Sequence, residues 1–201
     1  RQSTRLKKLI DDLLEASKAS SGVLNVIPAP CEVGVLLEQV QGEYAERLHA
    51  HDLNLIVQTP DKTLTVLADG RHLGRIFDNL MNNIIKYAQP GTRVYLDARA
   101  GLDPAAPGGS RPVAVITFRN VSAEPLNIPA EELLERFVRG DASRHTEGSG
   151  LGLAIVQSLT ELQGGSLQLA IDGDLFKVRL TFPLYTPADA AQAASSGKET
   201  P

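Results

Sequence analysis

The segment from Arg71 to Ala88, with RIFDNLMNNIIKYA at its centre, constrains the fold most. At about 100° per residue, Leu73, Ile76, Phe77, Leu80 and Ile84 fall on one stripe. That spacing predicts a helix with one wholly buried face, so a second layer must cover it. Asp69 is placed to cap its start. Asn79, Asn83, Lys86 and Tyr87 form a second stripe beside the first. Asparagine costs a helix roughly 0.5 kcal/mol per position against alanine. A solvated face would use Glu, Lys or Gln instead. The polar stripe therefore sits where the wall of a cleft would be. Asn82 points elsewhere on the wheel and receives no role.

The covering layer is legible around this helix. LNLIVQT and LTVLAD read as short strands before it, and RVYLDARA and PVAVITFRN as strands after it. The last two are joined by GLDPAAPGGSR, a loop rich in Gly and Pro. Residues 33–50 and 130–137 read as helices, as does LGLAIVQSLTELQ, which ends at Gly164 and Gly165. SLQLAID and LFKVRLTF form a hairpin across Gly173 and Asp174. VIPAPCEV, with two prolines, reads as a connector. The expected class is α+β, one mixed sheet with helices on one face in a two-layer sandwich. Residues 4–20 predict a further helix whose wide apolar face, with Leu6, Leu9, Ile10, Leu13 and Leu14, needs a partner. It is either packed on its own domain or the tail of a longer bundle helix. Residues 186–201 lack a core-forming pattern and are expected to be disordered.

Composition excludes several classes of function. The formal net charge of −4 over 201 residues leaves no footprint for nucleic acid and no basic stripe for a lipid surface. Cys31 is the single cysteine, so no internal disulfide forms, which fits a reducing compartment. No apolar run reaches the length of a membrane span. The chain opens on Arg1 without Met, and we expect it to be a fragment of a longer protein.

The polar stripe suits a nucleotide triphosphate with magnesium. The amide oxygen of Asn83 can ligate magnesium without adding charge to an already anionic ligand, and Asn79 lies one turn earlier in support. Lys86 offers a point charge to phosphate, and Tyr87 a hydroxyl or a ring face for the ribose. Downstream, EGSGLGLAIV alternates Gly148, Gly150 and Gly152 and leads straight into a helix. Such a run lets backbone amides approach phosphate, and the helix N-terminus adds free N–H groups.

Taken in order, these segments resemble the ATP-binding catalytic domain of bacterial sensor histidine kinases, in the GHKL or Bergerat-fold superfamily. DNLMNNIIKYA is similar to the family's N box, ERFVRGD to its F box and GSGLGL to its G2 box. The resemblance covers residues 30–185 and divides the chain in three. Residues 1–25 are expected to end the second helix of the dimerisation and phosphotransfer hairpin, residues 26–185 to form the catalytic domain, and residues 186–201 the tail. It implies Mg-ATP as cofactor, with Asn83 as the metal ligand and Asn79, Lys86 and Tyr87 around the phosphates and sugar. Arg139 resembles the arginine that reaches the γ-phosphate, and Phe137 the anchor of a lid over residues 139–149. Gly148, Gly150, Leu151 and Gly152 resemble the nucleotide-binding glycine segment. Implied partners are a response-regulator receiver domain and a second copy joined through the upstream hairpin. The implied location is the cytoplasmic side of a membrane-bound sensor, with no membrane contact by this segment.

Two departures stand out. The family's Asp-x-Gly-x-Gly segment, whose Asp accepts from the adenine amino group, is replaced by TFRNVSAEPLNIP. Asn120 is the nearest acceptor. None of His49, His51, His72 and His145 stands in the family's phosphoacceptor context, so all four are expected at the surface and the acceptor upstream of Arg1. The implied reaction is γ-phosphoryl transfer from ATP to that histidine, for relay to an aspartate. Hydrolytic members of the superfamily carry a Glu where this chain has Asn79, which cannot act as a base. A degenerate module that has lost catalysis is the alternative, motivated by the altered adenine segment.

Overall fold

The computed structural model describes residues 10, 14, 17–18, 23–60, 64–103, 110–126, 129–134 and 150–185. Four residues of the expected N-terminal helix are among them, and all four are helical. The rest of that helix and the expected tail lie outside the described residues.

The long helices form where their periodicity places them. α1 spans Val33–Ala50 and buries Val33, Leu37, Val40, Tyr44 and Leu48 along one side. α2 spans Gly70–Tyr87, and its whole predicted stripe is buried, with Met81 and Ile85 added. Asp69 caps it by accepting from the Arg71 amide at 3.0 Å. α3 is a single short turn, Ala130–Leu133; the remainder of the expected helix to residue 137 falls mostly outside the described residues. α4 spans Gly152–Leu162 and ends at Gly164, whose φ of +73° requires glycine.

The strands are β1 (Ala29–Glu32), β2 (Asn54–Gln58), β3 (Thr65–Ala68), β4 (Arg93–Asp103), β5 (Arg111–Val121), β6 (Ser166–Asp172) and β7 (Leu175–Pro183). Five of them form a mixed sheet in the order β2-β4-β5-β7-β6. β2 and β4 are parallel and all other neighbours antiparallel. A parallel pair needs a crossover, and here α2 lies within it. α2 is thereby carried across one face of the sheet, where Phe77 meets Phe118 with ring centroids 5.6 Å apart. The other face carries buried Val113, Val115 and Thr117 beside polar neighbours; Arg119 pairs with Asp97 at 2.6 Å and lies over the Tyr95 ring.

One expectation fails. The proline-rich connector contains a strand, β1, which pairs antiparallel with β3 in a separate two-stranded sheet. A proline can stand in a strand that has only one neighbour, because its missing N–H then leaves no ladder partner unpaired; Pro30 sits opposite Leu67 on these terms. β3 is thus not part of the main sheet, so there are two sheets rather than one. The small sheet is fastened to the large one by the Val66–Leu184 bridge and by the Tyr185 amide donating to Thr65 O at 2.8 Å.

Candidate nucleotide site

α2 is flanked by polar residues on both sides of its buried stripe. Asn79, Asn83, Lys86 and Tyr87 are all half-buried, as expected for the rim of a core. Asn79 spends its amide nitrogen on the carbonyl of Arg75, one turn back, at 2.8 Å. That bond offsets part of the helix cost of asparagine and fixes which atom faces outward. The outward atom, Oδ1, lies against the glycine run: a Cβ added to Gly152 would stand 3.4 Å from it. The same Cβ would stand 3.7 Å from both amide atoms of Asn83. Two amides and the first residue of α4 therefore share a cradle that a single extra methyl would fill. The Asn83 side chain makes no hydrogen bond to any described residue.

The start of α4 combines a glycine turn with an apolar capping residue. Gly150 has φ of +71°, open to glycine at little cost. Leu151 occupies the capping position, is fully buried and has no side-chain oxygen to satisfy the first amides of the helix. Those amides point toward the cradle's end of α4.

At the far end of α2, Lys86 donates to the Tyr87 hydroxyl at 2.5 Å and lies 4.4 Å from the centre of its ring. Tyr87 in turn holds the chain that follows β5, because its carbonyl accepts from the Ala123 amide at 2.8 Å. The Gln89 amide donates to Val121 O at 2.9 Å, and Ala88 bridges Ser122. Asn120, one residue upstream, is 4 % exposed and shares the helix-covered sheet face with Phe118. Its nitrogen donates to Val121 O at 3.2 Å, which leaves Oδ1 as the acceptor, without a partner among the described residues. Arg139, Phe137 and Gly148 lie outside the described residues, so nothing here places them against the site.

Sequence reasoning missed the opposite flank of α2. Asp78 accepts from the Tyr44 hydroxyl at 2.8 Å, and Asn82 accepts from Arg47 at 2.8 Å, both across to α1. The Asn82 nitrogen back-bonds to the Asp78 carbonyl at 2.6 Å, as Asn79 does to Arg75. Burial first, then the bond to Asp78 and its charge, push the Tyr44 hydroxyl up to about 12. It missed the reach of Asp69 as well. Held first by the Arg71 guanidinium, and also by the Ile27 and Arg71 amides, this buried carboxylate sits far below the usual range. One histidine corrects the surface expectation: the side chain of His72 is only 14 % exposed and donates to Asn25 O at 3.2 Å. His49 and His51 are exposed, His51 at the C-terminal cap of α1, and His145 is outside the described residues.

The comparisons with known proteins fit this geometry. A profile described as histidine kinase-, DNA gyrase B- and HSP90-like ATPase matches residues 68–186, from Ala68 at the end of β3 to just past β7. The signal transduction histidine-protein kinase BaeS of Escherichia coli K12 is 33% identical over 165 residues, 81% of this chain and 33% of that protein. Sensor protein VanS of Enterococcus faecium is 28% identical over 181 residues, 89% of this chain and 44% of that protein. The chain thus spans a third to under a half of the length of these curated relatives. Among solved structures, full-length ShkA in complex with AMPPNP has a TM-score of 0.75 at 24% identity, over 92% of this chain and 37% of that one. The Acinetobacter baumannii histidine kinase AdeS has 0.72 at 17%, over 92% and 81%. The two structures carry the fold, and the fold is the expected one. Membership of an ATPase family also implies ATP as the nucleotide. The chain thus belongs to the histidine kinase-, DNA gyrase B- and HSP90-like ATPase family, and its curated relatives here are sensor histidine kinases.

Proposed function

We propose that this chain is the ATP-binding catalytic part of a sensor histidine kinase. It transfers the γ-phosphoryl group of ATP to a histidine on an upstream hairpin, for relay to a response-regulator aspartate. The reading rests on one observation above all: the Asn79 and Asn83 amides meet Gly152 at the first residue of α4. Amide oxygens and helix amides together suit a triphosphate with its metal. The amide oxygen of Asn83 is a fitting donor, because it ligates a hard cation without adding charge to an anionic ligand. Asn83 would hold magnesium, which when bound neutralises charge on the transferring phosphoryl group.

Each side chain has a defined task. Asn79 presents Oδ1 to the same cradle and keeps the glycine run at a fixed distance. Lys86, on leaving Tyr87, adds a positive charge at the phosphates, and Tyr87 lies against the sugar. Asn120 accepts from the adenine amino group through its unoccupied Oδ1. Leu151 and Gly150 shape the loop that meets the nucleotide. On resemblance, Gly148 extends that loop, Arg139 reaches the γ-phosphate and Phe137 anchors the lid. Positioning and charge neutralisation carry such a reaction, and no strong base is required. A hydrolytic reading loses its base: Asp78, the nearest carboxylate on α2, is turned to Tyr44 on α1. A degenerate reading is disfavoured by the open acceptor on Asn120.

The whole kinase would act as a homodimer through the upstream hairpin and engage a receiver domain, on the cytoplasmic side of a membrane. Among the described residues no helix is long and apolar enough to cross one. The test is twofold. Calorimetry should show magnesium-dependent AMPPNP binding by the chain. Incubation with ATP should leave no acid-labile phosphate on the chain alone, yet label a supplied hairpin. Labelling of one of the chain's own histidines would overturn the reading.

A further inference from the structure

Asp69 joins four segments of the molecule. Its Oδ1 accepts from the Arg71 amide at 3.0 Å and from Arg71 Nε at 3.2 Å. Its Oδ2 accepts from Arg71 Nη2 at 2.8 Å and from the Ile27 amide at 2.9 Å. Its own amide donates to Gln163 Oε1 at 2.8 Å, just past the end of α4. His72 adds a second hold on the same linker through Asn25 O. Asp69 thus caps α2, ties down the end of α4 and grips Ile27, while His72 holds Asn25.

One hydrogen bond and one close approach mark the position of α4 along α2. Gly152 meets α2 at Asn79 and Asn83, and Gln163 meets it at Asp69. At 1.5 Å per residue, the stretch of α2 between these points and the length of α4 are both roughly 17 Å. The helices therefore run antiparallel, hydrogen-bonded at the Asp69 end and in close approach at the Gly152 end. Whatever loosens the Asp69 end lets α4 slide or tilt, and the glycine end moves against the two asparagines. Gln163 is itself braced, since its nitrogen donates to Leu159 O at 2.9 Å.

We propose that Asp69 is a positioning residue for the nucleotide site, and that docking of residues 25–27 on its carboxylate tightens the register of α4 against Asn79 and Asn83. This deepens the nucleotide reading above and rests on it. The linker lies between the N-terminal helix and β1, so movement of that helix reaches the site through one hydrogen-bonded residue. By linkage, nucleotide binding must then tighten the linker by the same factor.

The two oxygens allow the functions to be separated. In Asp69→Asn the remaining oxygen can keep the cap on the Arg71 amide, while the new NH2 group faces two donors, the Ile27 amide and Arg71 Nη2, and repels both. The backbone bond to Gln163 is untouched. Gln163→Leu breaks that tie and leaves the linker docked. Full-length chain should be titrated with AMPPNP and magnesium by calorimetry, and amide exchange at Ile27 followed by NMR with and without AMPPNP. Both variants should bind about fivefold or more weakly, and AMPPNP should slow Ile27 exchange in the parent by a similar factor. A purely structural Asp69 would lower melting temperature alone. Unchanged affinity in both variants, or Ile27 exchange in the parent indifferent to AMPPNP, overturns the inference. The exchange measurement needs no variant, so it stands even where a variant fails to fold. A parent that binds no AMPPNP removes the nucleotide reading itself, and this inference with it.

Discussion

The two flanks of α2 carry nearly the same chemistry to opposite ends. On the side of α1, Asp78 and Asn82 are matched by Tyr44 and Arg47. On the side of α4, Asn79 and Asn83 face a glycine with no side chain to answer them. Both flanks use asparagine, and in both the nitrogen of one asparagine returns to a carbonyl one turn back. What differs is the fate of the oxygen. On the α1 side it is consumed in folding; on the α4 side it has no hydrogen-bond partner among the described residues. A polar residue at a helix rim is thus read by its neighbour across the gap, not by its own type.

The sharpest way to break this comparison is Asn83→Ala. The residue makes no hydrogen bond to a described group, and alanine is the better helix former, so folding should be unharmed or slightly improved. Magnesium-dependent binding of AMPPNP should fall by about a hundredfold, on the order of 3 kcal/mol. Calorimetry beside a melting curve checks both halves. A folded variant with full affinity would take Asn83 out of the site.

Asn120→Leu should come next. The adenine amino group is a donor, and burying it unpaired costs about 1–3 kcal/mol. Binding should weaken roughly tenfold, while Asn120→Asp keeps or improves it because the acceptor becomes charged. The amides of Ser122 and Ala123 are committed to Asp174 O and Tyr87 O, so they are not free to organise a substitute. If the leucine variant binds as the parent does, adenine is read elsewhere.

The α1 flank should respond in stability instead. Tyr44→Phe removes the bond to Asp78 and should cost about 1 kcal/mol of folding free energy with AMPPNP affinity unchanged. The pH dependence gives the sign. The Tyr44 hydroxyl is raised from 10.0 to about 12, so its stabilisation is complete below pH 10 and lost as the pH rises through about 12. The gap between parent and variant in urea melts should therefore close over that interval. A gap that stays constant through pH 12 would show that the hydroxyl does not titrate as a buried, bonded group.

These contrasts also mark what the amino-acid sequence discloses. The stripe of α2, its Asp69 cap and the hairpin turn at Gly173 were legible because each is fixed by residues a few positions apart. The Asn79–Asn83 stripe was legible too, since an isolated polar row on a good helix violates local preference and so points to a task. The clasp on the other flank was not. Arg47 and Asn82 are 35 positions apart, and Asp69 and Gln163 are 94 apart. No local period reports such a pair. β1 was hidden for a different reason: two prolines describe a strand without a second neighbour as well as they describe a loop.

The smallest expected effect is the most discriminating. Asn82→Ala changes the same residue type as Asn83→Ala, one position away on the same helix. The variant loses the bond to Arg47, which is exposed and worth little in water. It also loses the back-bond to Asp78 O, but that carbonyl keeps its ordinary place in the helix. Against this, alanine recovers roughly 0.5 kcal/mol of helix propensity. Arg47 retains its seat over the Tyr44 ring, 5.0 Å from the centre. The losses and the gain nearly cancel, so stability should move by no more than about 0.5 kcal/mol and AMPPNP affinity not at all. Chemical melts and calorimetry on the neighbouring pair of variants test the point directly. Should Asn82→Ala weaken nucleotide binding as Asn83→Ala does, the two flanks are not independent, and the division of α2 into a folding side and a ligand side is wrong.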